Sequence, residues 1–448
     1  MPRWERGRSS VKRFSKVLTK TTFLAAPLVL LLVVAALAGA ATVPNMLSET
    51  NCVKNGGGGG CDTGFVLDNP QGAGLASDGS KVFVAAVDSN ALAVFNRNSK
   101  SGRLTESTGN ENRAACTSQD GSAGQCQDGH GFVGPMDVVN IGNSVYVASL
   151  GSNAIDILEK NTNSHQFQQD SGNGGCINED GSDGCTDGKG LTGARSLAVN
   201  PISGGNFVYV GGDHTIAEFK RSLSSGDLSQ LPPNNNFPAT DACVNDDGSD
   251  GCTDAFVPGD VVQMQFSSDG KYLYVAVSGS PGAVLIFLRL PQGPLRYQGC
   301  VSNGGAGGCQ AATNLDNPTG IGLDRSGKNV YVASRGSGAI TIFSRDQITG
   351  GMTQLGGTQS LANVNRVAVA SNNKSAYATT DAGVFSFFRD KKNGGALTQV
   401  DCITNAGGCT APAGNGLDGA FAVIPSNGGK DVYGTGTTGD TVFALKHT

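Results

Sequence analysis

FSSDGKYLYVAVSGSPGAVLIFLR, residues 266–289, and DRSGKNVYVASRGSGAITIFSRD, residues 324–346, are one unit written twice. Each holds short β-branched and aromatic runs bounded by Gly, Asp, Asn and Ser, the signature of strands joined by tight turns. Around the second copy four strands are legible: a over 321–323, b over 330–333, c over 339–343 and d over 352–355. Turns at Asp324-Arg325-Ser326-Gly327, Arg335-Gly336-Ser337-Gly338 and Thr349-Gly350-Gly351 separate them. Alternation in AITIF puts Ile340 and Ile342 on one face.

Working outward, strand b recurs with a central aromatic at Phe83, Tyr146, Tyr209, Tyr274, Tyr331, Tyr377 and Tyr433. The spacings are 63, 63, 65, 57, 46 and 56 residues, so the unit occurs seven times. Four-stranded sheets repeated radially predict an all-β, seven-bladed β-propeller over residues 41–448. The last copy ends after strand c. A strand d stands instead at the other end, Met46-Leu47-Ser48-Glu49-Thr50-Asn51-Cys52-Val53, and reads like Leu397-Thr398-Gln399-Val400-Asp401-Cys402-Ile403. The N-terminal strand is therefore expected to close the last blade.

These repeats resemble those of lactonase-like and YVTN-type seven-bladed propellers over residues 46–448. The resemblance implies the fold and, as one activity, the opening of a lactone ring. It transfers no catalytic residue, because strand-forming residues carry it.

Twelve Cys fall as Cys52/Cys61, Cys116/Cys126, Cys176/Cys185, Cys243/Cys252, Cys300/Cys309 and Cys402/Cys409, each pair after a strand d. Six local disulfides are expected, each closing a loop of about ten residues; the short stretch 355–363 has none. Two of these loops are acidic, with Asp180 and Asp183 in one and Asp246, Asp247 and Asp250 in the other. Such carboxylates suit Ca²⁺ or a solvated turn, but the spacing is no EF-hand. The expectation is no cofactor, with Ca²⁺ as the alternative.

Residues 1–20 carry seven Lys or Arg against Glu5, and an uncharged run over 23–43 follows, with Ala38-Gly39-Ala40-Ala41 inside it. This reads as a signal peptide over 1–40, or an uncleaved anchor. Cleavage after Ala40 leaves 25 basic and 36 acidic side chains, a formal charge of −11. That argues against nucleic acid and against an anionic membrane, except through the leader. Disulfides and leader together indicate a secreted or cell-surface, extracytoplasmic chain, expected to be a monomer.

Four Gly-x-Gly-x-x-Gly matches occur, at 129–134, 188–193, 414–419 and 434–439, but no helical pattern follows any of them, so a dinucleotide site is not expected. There is no G-x-S-x-G, no H-E-x-x-H and no P-loop.

Propeller ligands usually meet the face of the d-to-a and b-to-c loops, where innermost strand a begins. There the copies place Gly72, Asp137, Arg195, Asp260, Gly320, Arg366 and Gly419. Arg195, Arg366, Asp137 and Asp260 are the candidate ligand-binding residues, the arginines for a carboxylate, phosphate or sugar acid. Asp137, Asp260 and His214 are the catalytic candidates. The alternative is mutual ion pairing between blades. The recurrent Arg97, Arg221, Arg289, Arg345 and Arg389 after strand c read as caps of the c-to-d turn. Two functions stand: a binding or scaffold module for a glycan or protein, and a lactonase-like hydrolase of a small lactone.

Overall fold

A computed structural model describes residues 47–107, 115–170, 173–231, 243–405, 407–412 and 414–447. The leader read at residues 1–40 lies outside them. The described elements are strands and a few 3₁₀ turns, arranged in seven sheets. Blade 1 begins with strand a at Pro70–Leu75, blade 2 at Pro135–Ile141 and blade 3 at Ser196–Val199. Strands a of blades 4 to 7 are Val261–Phe266, Pro318–Leu323, Val364–Val369 and Ala420–Pro425. These innermost strands touch their neighbours all the way round, so the seven blades form a closed ring.

Closure occurs as expected. Leu47–Asn55 pairs antiparallel with Thr441–His447, strand c of blade 7, from Leu47↔His447 to Lys54↔Thr441. Both ends of the described chain thus share one sheet, and Leu47, Cys52 and Val53 are buried there.

The blades are richer than four strands. After the second Cys of a loop the chain adds a short outer strand parallel to strand d, such as Asp62–Gly64, Thr186–Asp187 and Gln310–Ala312. Parallel neighbours normally need a long crossover. Here the loop reverses within about ten residues, using left-handed glycines such as Gly56 to Gly60 and a disulfide across its base.

All six local disulfides are present and no described cysteine is free: Cys52–Cys61, Cys116–Cys126, Cys176–Cys185, Cys243–Cys252, Cys300–Cys309 and Cys402–Cys409. The expectation of six like loops needs correction at Cys409. Its bridge spans seven positions, against nine or ten in the others, and its Cα atoms are 5.2 Å apart rather than 4.6–4.8 Å. The shorter loop leaves too little chain for an outer strand, and the parallel pairing shrinks to a single bridge, Ile403↔Thr410. Cys402 is buried, whereas Cys409 stays half-exposed and borders an open groove with Gly59, Gly60 and Pro412.

The central aromatics and the post-c arginines prove to be one device, and the turn-cap reading of the arginines is too narrow. Six of the seven aromatics are tyrosines, and each hydroxyl donates to a glycine carbonyl of the next blade, as Tyr146 does to Gly226 (2.5 Å) and Tyr331 to Gly395 (2.7 Å). Arg97, Arg221, Arg345 and Arg389 then donate from Nε to the tyrosine hydroxyl of the preceding blade. Arg289 differs: it donates to Gly270 O (2.9 Å) and lies over Phe207. In blade 7 His447 replaces the arginine and meets Tyr377 Oη at 2.5 Å. Phe83 of blade 1 has no hydroxyl and packs edge-on against Phe167 of blade 2, the blade where Lys160 stands in place of the arginine. A buried hydroxyl needs a partner, and the neighbouring blade supplies it.

Glycine at the ring positions has a packing cause. A Cβ on Gly72 would lie 2.6 Å from Met136 O, and one on Gly320 2.9 Å from Arg366 Cα. Innermost strands approach closely at these seams. Gly320→Ala is expected to cost about 1–3 kcal/mol in urea unfolding. Gly356→Ala, whose Cβ would meet nothing within 4 Å, should be neutral or slightly stabilising. Equal effects of the two changes would refute this account.

Candidate functional site

Strand a carries a register shift near its start in blades 1, 2, 4, 5, 6 and 7. Such a bulge re-aims the residues that follow it. Counted from strand b, one level of the channel holds Gly72, Asp137, Ser196, Gln263, Gly320 and Arg366, opposite Ala85, Ala148, Gly211, Ala276, Ala333 and Thr379. Arg195 and Asp260 lie just before their strands, nearer the mouth. Of the residues named from the sequence, Gly72, Asp137, Gly320 and Arg366 stand at this level; Ser196 and Gln263, which the alignment did not name, stand at it in blades 3 and 4.

The channel holds a cavity of about 120 Å³ lined by Gln71, Asp137, Gln263 and Arg366 among apolar backbone positions. Asp137 accepts from Val138 N and Leu197 N, both at 2.9 Å. Gln263 accepts from Ile321 N at 2.8 Å. Each thereby satisfies a backbone N–H on the channel-side edge of the next blade, a donor with no strand to pair with. Arg366 donates to Thr319 O and, at 3.4 Å, to Asn365 O and Val262 O; its guanidinium lies 4.5 Å from the centre of the Phe421 ring.

Burial dominates the electrostatics here. It pushes Asp137 up to about 6, against the two N–H bonds and the Arg366 charge. It also pulls Arg366 down to about 10, against the attraction of Asp137. The two side chains come from blades 2 and 6 and stabilise one another's charged form.

At the mouth Arg195 donates to Asp260 Oδ2 at 2.5 Å, to Asp213, and to Gly193 O at 3.0 Å. Asp213 belongs to the b-to-c turn of blade 3, Asp260 to the entry of blade 4. Farther round, Arg335 grips both oxygens of Asp381 at 2.8 and 2.6 Å. The pairing alternative is thus realised for Arg195 with Asp260, whereas Asp137 bonds to backbone N–H groups and meets Arg366 only through its field.

His214 is engaged elsewhere. Its Nδ1 lies 2.9 Å from Asp246 Oδ2 and 3.0 Å from Val257 O, so it braces the Cys243–Cys252 loop. The acidic loops turn on themselves: the side chains of Ser182 and Ser249, with their N–H groups at 3.0 Å from Asp180 and 2.9 Å from Asp247, hold both carboxyls below their ordinary range. Asp183 accepts from Gly131 N (3.1 Å) and Gln119 Nε2 (2.6 Å), and Asp250 sits at a left-handed turn position. Among the described residues no three His, Cys, Asp or Glu converge as a metal cluster.

Residues 189–369, from the loop before blade 3 to strand a of blade 6, match the family model described as "Lactonase, 7-bladed beta-propeller". The fold is a seven-bladed propeller, and the matched stretch, under half of the chain, is similar to that family. Solved structures similar to this propeller include a putative 6-phosphogluconolactonase from Bacteroides uniformis, 16% identical. That match covers 74% of this chain and 84% of that one, with a TM-score of 0.50. Another, from Bacteroides fragilis, is 17% identical over 74% and 83%, with a TM-score of 0.52. A Lactobacillus plantarum protein is 13% identical over 77% and 86%, with a TM-score of 0.51. At such identities the likeness is one of fold. No curated protein matches the chain. The six disulfides suit an oxidising, extracytoplasmic compartment.

Proposed function

We propose that the propeller is an exported binding module, secreted or held at the cell surface, that takes a polar, uncharged ligand such as a glycan at the channel mouth. The observation that carries this reading is the engagement of the candidate charges. Arg195 is held by Asp260 and Asp213, and Arg366 by backbone carbonyls and an aromatic face. An anion would have to displace these partners, which costs more than it returns unless the new geometry is better. A neutral polyol can instead bond to the amides of Gln71 and Gln263 and leave the pairs intact.

One observation favours the second reading, hydrolysis of a small lactone. Asp137, up to about 6 in a partly open cavity, has the acidity of a general base that works near neutral pH. Residues 41–448, secreted with disulfides intact, should be followed by pH-stat over sugar and aromatic lactones, beside Asp137→Asn. The expected result is no acid release above background, with a glycan panel raising the melting midpoint through binding to the native state. Turnover that rises with pH through about 6, and is lost in a folded Asp137→Asn, would replace the binding module with a hydrolase.

A further inference from the structure

Three blades share a two-point clamp at their outer rim. Gln169 of blade 2 accepts from His130 N and donates to His130 O, both at 2.7 Å. Gln230 of blade 3 does the same to Lys189 (2.9 and 2.7 Å), and Gln354 of blade 5 to Thr313 (2.9 and 3.0 Å). Each clamped residue lies four positions beyond the second Cys of the preceding loop: Cys126, Cys185 and Cys309. The clamp therefore ties strand d of one blade to the disulfide loop of the blade before it.

Blade 1 has the same geometry with a different residue. Glu106 pairs with Phe95 in the register in which Gln169 pairs with Leu158 and Gln354 with Phe343. Its Oε1 accepts from Phe65 N at 3.3 Å, and Phe65 lies four positions beyond Cys61. The second half of the clamp needs a donor to the Phe65 carbonyl. An amide always has one, a carboxylic acid has one, and a carboxylate has none. This seam joins blade 7, which holds both ends of the described chain, to blade 1. On the far side of blade 7 the matching position, opposite Leu445, is also a carboxyl: Glu49, whose Oε2 accepts from Gly414 N at 3.3 Å.

We propose that Glu106 is a proton-operated clasp on the ring-closing seam, complete as the neutral acid and half-released as the carboxylate. Burial pushes Glu106 up to about 7, opposed by the Phe65 N–H; among the described residues no neighbouring charge contributes. Three described cations on the surrounding elements are committed elsewhere. Arg103 holds Asp62 (2.8 Å), Lys81 reaches Asn96 and Ser107 (2.8 and 3.1 Å), and Arg97 is tied to Asp431 and Tyr433. Because the folded value lies above that of an open seam, the closed seam binds the proton more tightly. Stability from this group is complete below the ordinary carboxylate range, falls as pH rises toward about 7, and is flat above. Proton release thus loosens the ring where its ends meet.

Hydrogen–deuterium exchange at pH 5 and pH 8, corrected for intrinsic rates, tests this. In the wild type, peptides covering 62–67 and 104–107 should lose protection by at least about tenfold at the higher pH. Peptides at the Gln354–Thr313 clamp should not. Glu106→Gln should abolish the change, and Gln354→Glu should create it at the blade 4–5 seam. A seam in the wild type that tracks the Gln354 clamp, or a pH response that survives in Glu106→Gln, would overturn the proposal. Should Glu106→Gln fail to fold, an unresponsive Gln354→Glu would overturn it as well.

Discussion

A chain that lacks residues 47–55 is expected not to hold a cooperative ring. The removed strand covers the outer edge of strand c in blade 7 along its whole length, from Leu47↔His447 to Lys54↔Thr441. Its loss leaves a row of unpaired N–H and C=O groups as a template for aggregation. Leu47 packs with Leu417, Val423 and Leu445, while Val53 packs with Leu67, Val82 and Phe95 and so bridges blade 7 to blade 1. Exposing two such side chains costs about 1.5–3 kcal/mol each, and losing the Cys52–Cys61 link about 2–3 more. With the strand ladder added, the sum is comparable to the ~5–15 kcal/mol that holds a typical domain. Secretion yield and a circular-dichroism melt check it. A truncated chain melting within a few degrees of the full one would show that the ring closes without the strand.

Arg389→Ala is expected to be the most damaging single charge deletion. Arg389 and Asp324 are 2% and 0% exposed and meet at 2.6 Å; the same guanidinium donates to Asn329 Oδ1 (2.7 Å) and Tyr331 Oη (2.5 Å). Deleting the cation strands a carboxylate in a dry seam between blades 5 and 6, which typically costs about 3–5 kcal/mol. Asp324 keeps N–H bonds from Lys328 and Asn329 (2.8 and 3.0 Å), so adding Asp324→Asn should recover part of the loss. Arg103→Ala makes the contrast, because the Arg103–Asp62 pair is about half exposed on both sides and should contribute less than about 1 kcal/mol. Urea unfolding of these variants beside the wild type decides. Equal midpoints for Arg389→Ala and Arg103→Ala would show that the buried arginine device does not hold the ring.

Both expectations begin from features that a reader of the sequence could mark. The unpaired strand d at 46–53 is visible because the last copy ends after strand c. The arginines are visible because they recur after it. What they bond to was not visible. A latch between Arg389 and Tyr331 joins residues 58 apart, on elements that only the ring makes adjacent. The Gln clamp went unnoticed for the same reason, since neither Gln169 nor His130 is unusual in its own stretch of chain.

The blade count, the four-stranded unit, the six disulfides and the closing strand were all determined by the sequence alone, whereas the short outer strands were not. Each of those four depends on short-range periodicity or on the composition of a loop of about ten residues. How far each loop is covered was not so determined: Cys126, Cys185 and Cys252 are buried, while Cys61, Cys309 and Cys409 are half-exposed, the last beside a groove. The channel, too, was decided by tertiary structure. Asp137 and Arg366 lie on blades 2 and 6, and their protonation follows from burial at a level that bulges in strand a set. In blade 4 a bulge between Val261 and Gln263 changes the register without altering the strand pattern and sets Gln263 at that level, whereas blade 3 reaches it with Ser196 on a regular ladder. Whether a charge is free or already paired depends on neighbours brought in by the ring, and neighbours of that kind are set by packing rather than by spacing along the chain.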